Sequence, residues 1–151
     1  MDSLSFKTIS VKKKFIKKSW VLIDASDQIL GRLSSKIACI IMGKHKSYFS
    51  PHIDCGDYVI VINSNKIKFS GNKWNNKEYV SYTGYPGGKK IIFAKDLFNK
   101  DSRILIYKSV KRMLPKNRLS RKIFKKNLYV YHNEKHNHNA QNPTKINLLD
   151  Y

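Results

Sequence analysis

The run Tyr58-Val59-Ile60-Val61-Ile62 leaves no position for water. A strand with one wet face alternates apolar and polar residues. A strand that is apolar throughout is covered on both faces, as in a parallel sheet. Parallel neighbours cannot be joined by a tight turn and need a longer crossover, usually a helix. The chain supplies one immediately upstream. Trp20-Val-Leu-Ile-Asp24 reads as a first buried strand, and Ser26 or Asp27 can cap the helix that follows. Leu30, Leu33, Ile37, Ile40 and Ile41 fall on one helical stripe, and Gly43 stands where that helix ends. The loop "GKHKSYFSPHIDCGD", broken by Pro51 and Gly56, returns the chain to the second strand. Strand, helix and strand at this spacing form a βαβ unit. They predict an α/β fold with a mainly parallel sheet flanked by helices.

Downstream, "KIKFSGNK" alternates and reads as a short strand, and "KEYVSYTGYPGGKK" as a strand running into a Gly/Pro-rich loop. From Ala94 to Met113 the spacing is helical, with a break between Asn99 and Ser102, and Pro115 ends it. Ser120 can cap a further helix that carries Ile123 and Phe124 inward, and Leu128-Tyr-Val-Tyr131 is a last strand. Residues 1–18 read as a flexible basic arm, 19–151 as one domain, and the part from about His132 as an irregular tail, with arm and tail ordering only on a partner. A chain of 151 residues can bury ~68–70% of its unfolded surface, so it needs neither a disulfide nor a metal to fold. Cys39 and Cys55 read as reduced thiols of a cytosolic protein. The first residues lack the apolar stretch of a signal peptide, and no run has the length of a membrane helix.

Thirty Lys and Arg against ten Asp and Glu give a formal charge of +20. Residues 102–133 hold ten of those bases and no acid. Within them, "KRMLPKNRLSRKIFKK" (Lys111 to Lys126) interleaves eight Lys and Arg with Met113, Leu114, Leu119, Ile123 and Phe124. A disordered tail has no use for those apolar residues. A solvated helix face mixes signs, because like charges one turn apart repel by ~0.2–0.5 kcal/mol per pair. Lys122 and Lys126 are such a pair. Met113, Leu114, Ile123 and Phe124 therefore dock the segment. Lys111, Lys116, Arg118, Arg121, Lys122, Lys125 and Lys126 are left for an external polyanion, whose displaced counterions favour binding. A second block, Lys12-Lys13-Lys14 with Lys17 and Lys18, indicates a long polyanion rather than a small phosphorylated molecule. Tyr48 and Phe49 after "GKHK", and Tyr82 and Tyr85 about Gly84, suit irregular RNA with exposed bases, and no groove-reading DNA motif occurs.

Competing chemistries fare worse. "GYPGGKK" lacks the Lys-Ser/Thr ending and the following helix of a P-loop. His132, His136 and His138, with Glu134, are numerous enough for zinc, but their spacing is not that of a helical metal motif. The amides of Asn133, Asn137, Asn139 and Gln141 around them suit hydrogen bonding to bases and 2′-hydroxyls instead. Asp27 reads as a cap, Asp54 and Asp57 as turn residues, and no serine sits in a nucleophile elbow. The expectation is a protein without catalytic activity, cofactor, metal or membrane contact.

Several words occur in one order and spacing: "DASDQILGRLSSKIA", "GKHKSYFSPHIDCGDYVIVINSNKI", "SGNKWNNKEYVSYTGYPGG", "VKRMLPKNRLSR" and "HNEKHNHNAQNP". From Trp20 to Pro143 the chain resembles the bacterial form of the large-subunit ribosomal protein L-thirteen family. The resemblance implies an α/β fold and a place in the large subunit of a bacterial cytoplasmic ribosome, with an organellar ribosome as the lesser alternative. It implies binding to the large-subunit (23S-type) rRNA, contact with neighbouring ribosomal proteins, a part in early assembly, no small-molecule substrate and no homo-oligomer. A free-standing RNA-binding regulator of translation is the alternative. Carried onto this sequence, the family's RNA-facing words fall on Lys44, His45 and Lys46, on Asn72 and Lys73, and on Tyr85, Gly87 and Gly88, which Lys89 follows directly. They also fall on the stretch from Met113 to Arg121 and on His136, His138 and Gln141. With Lys111, Arg112, Lys122, Lys125 and Lys126 these make the candidate rRNA-binding set. The chain departs from the family pattern at Arg112 and Ser120, where glycine is common, and carries one extra residue between Ser120 and Leu128.

Overall fold

The computed structural model describes residues 11–146; the first ten residues of the arm and the last five of the tail lie outside them. Along the chain come β1 (Trp20–Asp24), α1 (Leu30–Met42), β2 (Tyr58–Ile62), the single-turn α2 (Lys73–Asn76), β3 (Glu78–Tyr82) and β4 (Lys89–Phe93). Then follow α3 (Ala94–Lys100), α4 (Ser102–Met113), α5 (Arg118–Asn127), β5 (Leu128–Val130) and β6 (Thr144–Lys145). Four strands form one sheet in the order β5-β2-β1-β6, every pair parallel. The βαβ unit is as expected, with Trp20 opposite Tyr58 through to Asp24 opposite Ile62. Alternation along the strands assigns Val21, Ile23, Val59, Val61, Leu128 and Val130 to one face, and all six are buried. They join the buried stripes of α1, α4 and α5 (Leu33, Ile37, Ile41, Leu105, Ile106, Val110, Ile123) in one continuous core. The other face presents Trp20, Tyr58 and Tyr129, whose rings stack 4.5 and 5.7 Å from Trp20.

Two expected caps are replaced. Neither Ser26 nor Asp27 caps α1: its N-cap position is Ile29, and no side chain bonds there. The Leu30 N–H donates instead to the Lys68 carbonyl and the Lys68 N–H to the Gln28 carbonyl. That exchange is also why "KIKFSGNK" is not a strand. It contributes one bridge, Ile29 to Lys68, and is consumed in starting the helix. In α5 the cap is Asn117, whose side chain accepts from the Ser120 N–H at 2.7 Å, while Ser120 lies buried in the first turn. The helical break is as read, with Asp101 capping α4 by accepting from the Arg103 N–H.

The Gly/Pro-rich loop is the turn of a hairpin that the residues alone did not reveal. The Thr83 N–H donates to Gly88 and the Gly88 N–H to Tyr85, and β4 pairs antiparallel with β3. The tail is likewise more ordered than its lack of periodicity suggests. β6 joins β1, the Thr144 hydroxyl donates to the Trp20 carbonyl, and the Ile146 N–H donates to Leu22. Met113, expected to dock, is 43% exposed, and its neighbour Leu114 takes the buried place. Phe124 is half-buried, edge-on to Tyr107 at 5.9 Å.

Two glycines set where the crossover can return. Gly43 ends α1 in the left-handed conformation (φ 80°) with the Cys55 backbone 2.8 Å from where a Cβ would sit. At Gly56 a Cβ would lie 1.6 Å from the Ile41 carbonyl oxygen, so strand and helix end meet backbone to backbone. Gly56→Ala is therefore expected to destabilise the fold by about 3 kcal/mol or more, the upper range of overpacking. Gly31→Ala, which meets nothing within 4 Å, should not destabilise it. Thermal melts of the two variants make the comparison; equal midpoints would refute it.

Candidate nucleic-acid interface

In α5 the apolar and basic residues separate by helical spacing. Ile123 is buried and Phe124 half-buried, while Arg118, Arg121, Lys122, Lys125 and Lys126 are exposed. At a rise of 1.5 Å per residue this stripe runs about 12 Å. Lys111 and Arg112 in the last turn of α4, and Lys116 in the connection, are exposed beside it in sequence. Among the described residues, no ion pair engages any of these eight cations. Arg112 has a contact of another kind. Its guanidinium lies 5.6 Å from the Tyr79 ring centroid, with the Lys108 ammonium 5.1 Å from the same ring. Tyr79 is almost fully buried, which pushes its phenol up against the pull of Arg112.

The GKHK loop is organised from inside. Asp57, 2% exposed, is no turn residue. Its carboxylate accepts from the Lys46 ammonium (2.5 Å) and the Ser19 N–H (2.8 Å), with His45 Nε2 at 2.9 Å. Lys46 also donates to the Lys17 carbonyl at 2.8 Å. Burial alone would raise the Asp57 carboxyl, but Lys46 and the Ser19 amide hold it below its ordinary value. Asp54, the other expected turn residue, binds Lys18 and accepts from the Asn127 amide. These contacts tie the end of the basic arm to the loop. Of the three loop residues in the candidate set, Lys44 faces solvent, while His45 and Lys46 direct polar atoms inward to Asp57.

The remaining candidates occupy separate places. Asn72 and Lys73 line a shallow cleft of about 310 Å³ with Ser70, Gly71, Asn76 and Lys77. Tyr85, Gly87 and Lys89 are exposed at the hairpin tip, and Gly88 is packed against Thr83. Gln141 is exposed, whereas His138 packs on Tyr129 and Trp20 at 4.5 and 5.1 Å, and His136 lies 6.3 Å from Tyr131. His132 is engaged elsewhere, by Ser102 and Asp101. The three imidazoles thus have three different settings, and no group of metal-holding side chains occurs among the described residues.

Ser102, His132 and Asp101 do line up like a nucleophile relay, with Ser102 Oγ 2.9 Å from His132 Nδ1 and His132 Nε2 3.4 Å from Asp101. However, Ser102 is buried and its hydroxyl is shared with Ser64 at 2.8 Å, so no substrate carbonyl can reach it. The relay pins the end of β5 to the start of α4.

Sequence reasoning missed Asp57, Tyr79 and Lys108. Asp57 stands directly before a fully apolar strand, where an acid requires a buried partner, and that position was its one signal.

Fold and surface together define an α/β protein with Asp57 buried behind the GKHK loop and an acid-free basic stripe on the outside of α5. The family model for ribosomal protein L13 matches residues 18–137. The large ribosomal subunit protein uL13 of Thermoanaerobacter sp. (strain X514) is 48% identical over 142 residues, covering 94% of this chain and 99% of that protein. The uL13 proteins of Thermosipho africanus and Thermotoga maritima are 48% and 46% identical, each covering 94% of this chain and 95% of their own length. The chain belongs to the ribosomal protein L13 family.

The Asp57 site carries a prediction. Its carboxyl sits below the ordinary 3.8, so its contribution is complete above that value and is lost as pH falls through the lower folded-state value. Asp57→Asn should cost about 3 kcal/mol at neutral pH, because it strands the Lys46 charge. It should also flatten the loss of stability below about pH 4. Urea melts of both proteins from neutral to acid pH test this; parallel pH profiles would count against it.

Proposed function

We propose that this protein is a structural constituent of the large ribosomal subunit in the bacterial cytoplasm. It binds large-subunit rRNA, supports early subunit assembly and has no enzymatic activity. The observation that carries this reading is the unneutralised stripe on α5, continued by Lys111, Arg112 and Lys116, on a chain of net charge +20. Phosphates supply the missing anions; they position a protein without reading sequence. Lys44, Asn72, Lys73, Tyr85, Lys89 and Gln141, each exposed and on separate segments, add contacts of the dispersed kind that folded RNA requires. His45 and Lys46 serve the interface by holding the loop on Asp57, and His136 and His138 by seating the tail on the sheet.

Co-sedimentation with the large but not the small subunit tests the assignment. A sharper test addresses the stripe. Changing Lys122, Lys125 and Lys126 together to Gln should weaken binding to large-subunit RNA. Each lost phosphate contact should reduce the slope of log affinity against log salt by roughly 0.7–0.9. The thermal midpoint should hold, since all three side chains are exposed. A variant that unfolds yet keeps the wild-type salt slope would overturn the division of α5 into docking and binding faces.

A further inference from the structure

We infer that the arm carries a stacking site for an unpaired RNA base, with Phe15 as its platform; this rests on the ribosomal reading above. Residues 11–19 hold Lys12, Lys13, Lys14, Lys17 and Lys18 and no acid. A short 3₁₀ turn, Lys13–Phe15, stands among them. Phe15 is 73% exposed, and of the large apolar side chains among the described residues only Tyr85 is more so. The turn is not adrift, because the chain is clamped directly after it. The Lys17 carbonyl accepts from the Lys46 ammonium at 2.8 Å and from the Tyr48 hydroxyl at 3.3 Å. Lys18 pairs with Asp54, and the Ser19 N–H donates to Asp57 at 2.8 Å. The Ser19 carbonyl accepts from the Tyr58 N–H at 3.0 Å. Phe15 stands two residues before this clamp, which brings the arm to the loop that carries Tyr48 and the exposed Phe49. Asp54 also accepts from the Asn127 amide at 3.2 Å, which joins the arm to the C-terminal end of α5, where Lys125 and Lys126 lie.

The chemistry selects among occupants. Lys12, Lys13, Lys14 and Lys17, all exposed, call for several anions in a row, and a ring without a polar atom calls for a flat apolar face. A duplex offers the phosphates, but its bases are already stacked on one another. A single strand offers both in alternation, since every nucleotide brings a phosphate and a base with a π-face. A second copy of this chain would bring another +20 against the first and is repelled. Ring and lysines also differ in how they respond to salt. Each lysine on a phosphate displaces counterions, so its contribution fades as salt rises; a stacked ring displaces none. The platform therefore has a signature that a purely basic arm lacks.

The test measures binding of the full chain to large-subunit RNA across a range of salt. Phe15→Leu keeps an apolar side chain and removes the ring. It is expected to weaken binding about 5-fold or more, the lower end of what a lost base–aromatic stack costs. The slope of log affinity against log salt and the thermal midpoint should stay at their wild-type values, and Phe15→Trp should restore the affinity. A Leu variant that binds like wild type, or Leu and Trp variants that fail equally, would overturn the platform. A second readout uses large subunits carrying Phe15→p-benzoylphenylalanine, irradiated and analysed for adducts. The expected product is an adduct to an RNA nucleotide that dimethyl sulfate probing finds unpaired. An adduct to a protein or to a base-paired nucleotide, or none at all, counts against the proposal and leaves the ribosomal reading standing. A wild-type chain that neither binds large-subunit RNA nor sediments with the large subunit would sink that reading, and this inference with it.

Discussion

Burial of β2 on both faces is the constraint from which the rest of the molecule follows. Val59, Ile60 and Val61 are wholly enclosed, and a strand in that position needs a layer above, a layer below and parallel partners on each side. α1 supplies part of one layer and must turn back close enough for its last carbonyls to touch Gly56. The second layer is thinner: the sheet's far face is met by the stacked rings of Trp20, Tyr58 and Tyr129, on which His138 of the tail packs. The tail therefore completes the sheet as well as reaching outward, which couples the fold to the proposed RNA contacts at Gln141.

Charge is segregated rather than balanced. Ten acids cannot neutralise thirty bases, and the structure places several of them where they organise the interior. Asp57 fixes the GKHK loop, Asp54 holds Lys18 and Asn127, Asp101 caps α4 and meets His132, and Asp24 accepts from Ser26 and Asn63. Acids used in this way leave the surface of α5 without a counter-charge. Lysines of one sign on one face are tolerable in the free protein because each repulsive pair costs only a few tenths of a kcal/mol. On the proposed RNA partner they become favourable, because binding releases condensed cations.

What could be read from the residues was whatever has a period or a steric rule. The two-sided strand, the amphipathic α1, the Gly43 terminus, the break at Asp101 and the basic stripe of α5 all follow from local spacing. What could not be read depended on distant backbone. Asn117 rather than Ser120 caps α5, since either type suits a cap and only the turn geometry chooses. "KIKFSGNK" has strand alternation, but its hydrogen bonds are claimed by the start of α1, nearly forty residues earlier in the chain. β4 was hidden because Lys89 and Lys90 look like loop until their cross-strand partners are known. Asp57 has the local look of a turn residue because its partners, Lys46 and Ser19, come from two other segments.

Arg112 shows how docking and binding can share one side chain. Its guanidinium lies 5.6 Å from the Tyr79 ring centroid and thereby holds the hairpin against α4. A cation–π contact of this kind is worth about 0.5–1 kcal/mol at an exposed site. A charge-assisted bond to phosphate is worth roughly 1.5–3 kcal/mol. The two would compete if they used the same part of the group, and RNA would then pull the hairpin loose. A guanidinium that lies face-on to the ring avoids the competition, since its five donors lie in its own plane. An arginine can therefore keep the hairpin seated and still present N–H groups to a phosphate, whereas lysine, a point charge without a plane, would have to choose between the two. Arg112 thus joins the basic stripe of α4 and α5 to the hairpin that carries Tyr79.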